Sequence, residues 1–361
     1  MEKIIRYIRE NRLLFWMLVL SFVITLVYAF YWQINPVVDA KAYNNIAQNL
    51  LLGNGFVENA GIDIKFDRAI TRVGPLYQFI LAGIYAIFGY NFAPVWILQA
   101  FLHVLSAYFL YLTAKIIFKD NEKKEKIALV ATGIFAFYPD LVEISAMLMA
   151  ETVYIFFWCV MIWYFFKTMS DMDAQKKMTI KVIILGVISG LAVLARPPVL
   201  FVLPAIFVYF LVRKKYILSI LFFLTLALVF MPWTARNYMV YQKIMPVGAA
   251  GAWNFWIGNH EGGKGEQEET LEMHQYIEKY GVIQLQDESI RQFKNFVFEH
   301  PLDFIRLTVW RVNKYFSVTR PMGFWFYDSG LSQILFVLCS ALASSILFVF
   351  GLYSAIKLWA K

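Results

Sequence analysis

Two carboxylates stand where the chain passes between apolar and polar sequence: Asp39 in Val-Val-Asp-Ala-Lys-Ala-Tyr, and Glu151 in Met-Ala-Glu-Thr-Val-Tyr. A carboxylate in such a place can take the proton of a hydroxyl held against it, as a general base does. Each also has a plainer reading. Asp39 sits where a helix N-cap is expected, worth about 1 kcal/mol. Glu151 opens an apolar run, where a negative charge suits the helix dipole. The residues alone leave both choices open. Five cations lie in comparable sequence: Arg68, Arg72, Arg196, Arg236 and Lys243. Guanidinium forks match phosphate bidentately, and the competing use is lipid-headgroup contact or snorkelling at a helix end. Arg196 precedes Pro197-Pro198 and Arg236 follows Pro232-Trp233, so each is expected to end a span beside a helix break.

A third group has the chemistry of sugar contact. Tyr43, Trp253, Asn254, Trp256, Asn259 and His260 combine aromatic faces with amide and imidazole hydrogen-bonding groups. Aromatic belts at membrane interfaces are the alternative use for Trp253 and Trp256, as for Trp233, Trp310, Trp325 and Tyr327. The glycine-rich stretch 258–265 lacks the strand–loop–helix setting of a nucleotide site and reads as a mobile acceptor loop. No His-x-x-x-His or paired cysteines indicate zinc, and Cys159 and Cys339 lie inside apolar runs. A carboxylate-bound Mg²⁺ or Mn²⁺ stays open as a cofactor.

The elements that must position these residues follow from composition. Of 361 residues 60% are apolar and only 16% charged, which excludes a soluble enzyme and a disordered chain. Eight stretches are expected to cross the roughly 30 Å of hydrocarbon: 13–34, 92–118, 127–147, 150–167, 179–195, 198–212, 216–233 and 331–356. The stretch 75–89 is short and is expected to lie in the interface. Segment 13–34 ends without a small-x-small cleavage site, so it reads as a retained anchor. Lysines and arginines cluster in the N-terminus, in 119–126, 167–181 and 213–215, and at the C-terminus. By the positive-inside tendency these face the cytoplasm, with both termini inside. The net charge of +8 is thus topological and no sign of a nucleic-acid partner.

The polar chemistry then falls on the opposite face, in loops 35–91 and 234–330. Residues 39–53 read as an amphipathic helix lying in the interface on Tyr43, Ile46, Ala47, Leu50 and Leu51, stopped by Gly53. Further helical runs are expected at 266–280, 284–299 and 303–316, the last with Phe304, Ile305, Thr308, Val312, Tyr315 and Phe316 leaning on the membrane or bundle. Asp140 and Glu143 read as solvated interface residues, and His103 as an interhelical hydrogen bond. Away from their ends the spans hold almost no ionisable residues, with His103 and Lys115 in the second, which disfavours an ion-coupled transporter.

The order of motifs is more telling than any one of them: Asp39 ahead of Tyr43, Leu-Leu-Leu-Gly-Asn-Gly-Phe56, Arg-Val-Gly-Pro-Leu-Tyr77, Phe-Tyr-Pro139 before Glu151, Leu-Ala-Arg196-Pro197, Pro-Trp-Thr-Ala-Arg236-Asn237, and Asn-Phe-Trp-Ile-Gly-Asn259. Over about residues 1–320 this resembles the GT-C superfamily of polyprenyl-phosphate-sugar-dependent glycosyltransferases, in its protein O-mannosyltransferase and aminoarabinose-transferase branch. The resemblance implies an all-α polytopic bundle of about eight transmembrane helices. It divides the chain into a catalytic module at 1–233, a helical outer loop at 234–330 and a last transmembrane helix at 331–361. It also implies a plasma-membrane enzyme with an extracytoplasmic active site. In that setting Asp39 is the expected catalytic base and Glu151 a second acid, acceptor-orienting group or metal ligand. The five cations would hold the donor phosphate, and the aromatic and amide group would contact acceptor or sugar. Many relatives carry adjacent acids at this position, whereas Ala40 and Lys41 follow Asp39 here. The implied partners are a polyprenyl-phosphate sugar donor, a glycan, lipid or protein acceptor, and membrane lipids. The other classes the sequence admits are a non-catalytic polyprenyl-phosphate-binding module and a lipid-carrier flippase.

Overall fold

The computed structural model describes residues 10–174, 177–266, 268–318 and 330–359, and these are helical, without strands. They divide into two compact units, one of 10–137 with 141–251, the other of 138–140 with residues from 252 on.

In the first unit α1 (Arg12–Trp32) is followed by the short α2 (Val38–Leu51) and α3 (Leu76–Phe88), then by α4 (Ala93–Ile117). After these come α5 (Lys124–Ala136), α6 (Pro139–Ala146), α7 (Glu151–Asp173), α8 (Thr179–Ala195), α9 (Leu203–Val212) and α10 (Tyr216–Tyr241). Helix α4 packs on α1, α5 and α7, and α8 packs on α7 and α10. Glycines allow the last approach. A Cβ on Gly186 would sit 2.8 Å from Thr225, and one on Gly190 2.6 Å from Val229. Small residues in this role are usual where helices meet in lipid, because close backbone contact replaces the hydrophobic drive.

Among the described residues five helices are long and apolar enough to cross a membrane: α1, α4, α7, α10 and the C-terminal α15 (Leu331–Trp359). With one bent pair they make up to six candidate spans, and other stretches of the expected eight are shorter apolar helices. The stretch 127–147 is a pair, α5 and α6, bent by 50°. Pro139 has no N–H to continue the ladder, and the Ala136 carbonyl beside the break is taken by Ser21 Oγ at 2.8 Å and His103 Nε2 at 3.1 Å. The expected interhelical bond of His103 is thus present. Segment 198–212 is a 3₁₀ turn, Pro197–Phe201, followed by α9, and with α8 and α3 it belongs to the shorter apolar helices. Segment 216–233 is longer than expected. Helix α10 carries Pro232 in its interior and runs on to Tyr241, with Thr234 Oγ1 donating to the Phe230 carbonyl at 2.9 Å.

In the second unit α11 (Ala250–Ile257) precedes α12 (Leu271–Tyr280), α13 (Leu285–Glu299) and α14 (Pro301–Tyr315). The expected stripe on α14 is open, with Ile305, Val312, Tyr315 and Phe316 exposed and Leu307 instead buried. Asp140 is also buried, accepting from Ser340 Oγ at 2.8 Å, and Tyr138 meets Ser344 at 2.6 Å. Within the first unit Glu143 is buried too. Neither acid is the solvated interface residue expected from the sequence.

Gly74, just ahead of α3, lies against the end of α8, where a Cβ would fall 2.0 Å from the Leu194 carbonyl oxygen. Backbone cannot yield as a side chain can, so Gly74→Ala is expected to cost about 3 kcal/mol, at the upper end for overpacking. Thermal unfolding of the purified variant in nanodiscs measures this, with Gly83→Ala, where the added carbon meets nothing, as the neutral comparison.

Candidate active site

Helix α2 places Asp39, but not as a cap. The N-cap is Val37, and Asp39 lies in the first turn with its carboxylate turned to Arg72, whose Nη1 donates at 2.9 Å. Gly53, at φ +80°, ends the helix as expected. The apolar face of α2 packs on protein instead of lying in lipid: Tyr43, Ile46 and Ala47 are fully buried, while Leu51 is exposed. Tyr43 meets Tyr77 of α3 edge-on, ring centroids 5.7 Å apart.

Arg72 is shared. Its Nε and Nη2 donate to the two Glu58 oxygens at 2.9 and 2.8 Å while Nη1 serves Asp39. Burial disfavours its charge, but the Glu58 and Asp39 carboxylates more than offset this and raise its pKa. Glu58 is in turn set by Asp67, buried at 1% exposure, which accepts from the backbone N–H groups of Glu58, Asn59 and Ala69. Glu58 and Asp67 had no motif to mark them in the sequence. They act through folding of the 57–69 loop.

Glu151 begins α7 and is ion-paired with Arg196 Nη1. Arg196 ends α8 in extended backbone, the conformation imposed by Pro197. Glu151 Oε2 and Arg196 Nε are both buried without a hydrogen-bond partner, so this pair retains one acceptor and one donor. The segment before Glu151 is held from α4: Gln99 Nε2 donates to the Ser145 and Met147 carbonyls at 2.9 and 2.6 Å, and its Oε1 accepts from Tyr77 at 2.7 Å.

The charges of both ion pairs bear on the Tyr43 hydroxyl. Burial holds its hydroxyl well above the usual tyrosine range. The Asp39 and Glu151 charges push the same way, and Arg196 and Arg72 pull it back. Two acids and two arginines from four separate stretches of chain therefore act on one phenol.

Arg236 is placed differently from the expectation. It lies inside α10, not at a break, and its guanidinium stacks near Phe56, Trp233 and Tyr241 at 5.6, 5.2 and 5.2 Å. It reaches the Phe56 carbonyl at 3.3 Å, and no carboxylate pairs with it among the described residues. Asn237 and Trp233 bind the Met245 and Val247 carbonyls at 2.8 and 2.6 Å, folding 242–249 back so that Ala249 N–H reaches the Ile70 carbonyl at 2.9 Å. Arg68, which opens the 3₁₀ turn Arg68–Thr71, and Lys243 are half-buried in this same unit.

The remaining expected residues belong to the second unit. Trp253, Trp256 and Asn259 are buried there, and Asn254 is exposed. Asn259 donates to the Phe255 carbonyl at 2.9 Å and accepts from Arg311 at 2.8 Å. Arg311, which sequence reading missed, also takes the Gly258 and Gly265 carbonyls, so stretch 258–265 is pinned. His260 Nδ1 faces the Glu261 carbonyl at 3.0 Å, and its Nε2 lies 3.6 Å from Glu268. Trp325 and Tyr327 lie outside the described residues. Among those residues no group of three or more His, Cys, Asp or Glu side chains is arranged to hold a metal.

Residues 72–236 match the family model described as dolichyl-phosphate-mannose-protein mannosyltransferase. No curated protein and no solved structure matches the chain. Over that segment, a little under half of its length, the chain is similar to that family, and its long apolar helices are those of a multi-pass membrane protein. The matched segment carries Arg72, Glu151, Arg196 and Arg236; Asp39, Tyr43 and 253–260 lie beyond it.

Unfolded, Tyr43 loses its proton near its ordinary value of 10.0, while the folded protein retains it to higher pH. Its linkage contribution is fully present below that value and is lost as pH rises towards the folded pKa. Urea denaturation between about pH 9 and 11 is expected to show a steeper alkaline loss of stability for wild type than for Tyr43→Phe. Equal slopes would place the hydroxyl in water.

Proposed function

We propose that the chain transfers a sugar from a polyprenyl-phosphate carrier to a hydroxyl of a glycan, lipid or protein acceptor, on the extracytoplasmic face and with inversion. The reading is supported above all by the convergence of the Asp39–Arg72 and Glu151–Arg196 pairs on Tyr43. Asp39 takes the acceptor proton as its oxygen attacks the anomeric carbon. The bond from that carbon to phosphate oxygen breaks in line, and polyprenyl phosphate departs. Arg72 donates to both Asp39 and Glu58, which fixes where the Asp39 carboxylate points. Phosphate is already a competent leaving group, so it needs positive charge more than a proton. Arg236, without a carboxylate partner, and Arg196, with its unpaired Nε, suit that task. Arg68 and Lys243 supply further positive charge. Tyr43 retains its proton and serves as a hydrogen-bond donor to sugar or phosphate. Glu151 orients Arg196 and has one oxygen left for the acceptor.

The carboxylates that would ligate Mg²⁺ or Mn²⁺ are already matched with guanidinium groups, and this donor set does not fit a divalent ion. Turnover is expected to survive EDTA, and metal dependence restored by Mn²⁺ would overturn that assignment.

Transfer from a panel of polyprenyl-phosphate sugars, the mannose-linked carrier first, tests the mechanism in nanodiscs. Asp39→Asn is expected to lose about 10²–10⁴-fold in turnover, the usual worth of a general base. Arg236→Gln is expected to lose about 10²–10³-fold, as when a charge-stabilising donor is removed. Full activity in Asp39→Asn would move the base elsewhere, with Glu151→Gln the next variant to assay.

A further inference from the structure

The first unit has a cavity of about 410 Å³. It is lined by Phe30, Gln33, Tyr90, Asn91, Phe92 and Trp96. The rings form a chain of edge contacts: Phe30 to Trp96 at 5.4 Å, Phe92 to Trp96 at 6.3 Å and Tyr90 to Phe92 at 5.4 Å. No charged side chain lines it.

Its polar groups have unused hydrogen-bonding capacity. Trp96 is 6% exposed, and its indole N–H is buried with no acceptor. Tyr90 oxygen accepts from Asn44 Nδ2 at 3.1 Å, which leaves the Tyr90 O–H to donate outward. Asn91 Oδ1 takes the Ala93 N–H at 2.9 Å and leaves the amide N–H₂ over. Gln33 Nε2 donates to the Phe30 carbonyl at 3.2 Å and leaves Oε1 as an acceptor. Asn44 also accepts from Tyr85 at 2.8 Å and is the neighbour of Tyr43 on α2, so the cavity wall and the active-site helix are tied.

From this geometry we infer that the cavity between the end of α1 and the start of α4 is a subsite for a neutral saccharide unit of the acceptor. Sugars offer apolar C–H faces for aromatic rings and hydroxyls that both donate and accept, and a pocket of rings with a few neutral polar groups is complementary to them. A phosphate or an anionic headgroup would meet no cation here. The inference deepens the glycosyltransferase reading, on which it rests, by naming the acceptor as carbohydrate-bearing at this position.

Saturation-transfer NMR titration of the full chain in nanodiscs tests it, with methyl α-mannopyranoside, methyl β-glucopyranoside and maltose as neutral probes and glycerol phosphate as the anionic one. Saturable binding of at least one neutral glycoside is expected. It should weaken about tenfold in Trp96→Phe, which removes the N–H, and in Asn91→Ser, which keeps a helix-capping oxygen. Gln33→Ala, at an exposed position, reports on the same binding if Trp96→Phe fails to fold. Asp39→Asn is expected to bind glycosides as wild type does whether or not its turnover falls, so an error in the catalytic assignment would leave this result standing. Absence of saturable binding, equal affinity in the cavity variants, or glycerol phosphate competing the glycosides away would overturn the proposal.

Discussion

A guanidinium largely withdrawn from water must have its charge answered, and Arg72 is answered by two carboxylates from separate stretches of chain. Much of the candidate site depends on that arrangement. One partner, Asp39, is carried by α2. The other, Glu58, stands on a loop whose backbone is organised by the buried Asp67. Neither ion alone would be stable in so dry a place, because desolvation is offset only by close, well-directed partners. Three charges, joined by one bidentate contact to Glu58 and one single bond to Asp39, satisfy that condition and also fix where the Asp39 carboxylate points.

The second pair follows the same logic with a different outcome. Glu151 and Arg196 neutralise one another but leave one oxygen and one N–H unmatched. Buried polar atoms without partners are few in folded proteins, and two on facing residues make a place where a ligand's hydrogen bonds improve on the empty state. Arg236 is stabilised by aromatic faces in place of an acid. Cation–π contact keeps a guanidinium ordered without spending its positive charge, as the role proposed for it toward the donor phosphate requires.

The helices explain how such polar clusters coexist with a lipid-soluble body. Glycines and small residues bring α8 and α10 together, and the break at Pro139 is made tolerable by Ser21 and His103. Each places irregular backbone only where protein groups complete its hydrogen bonds, as a low-dielectric setting demands.

Sequence by itself determined the all-helical membrane character, the likeness to a glycosyltransferase family and the short helix Val38–Leu51 with its stop at Gly53. Those are local properties: apolar runs, capping and stopping residues, and motif order. Three of the stretches that hydropathy marked as spans take a different form: 127–147 is bent at Pro139, and 179–195 and 198–212 are shorter apolar helices, while Pro232 is absorbed within a long one. Only the tertiary structure decided that Asp39 faces Arg72 instead of capping a helix, that Arg72 is spent on Glu58 while Arg236 is not spent on any acid, and that Asp140 is buried. Partner choice among charges depends on which stretches of chain come within about 3 Å, and residues separated by tens of positions carry no local signal of that meeting.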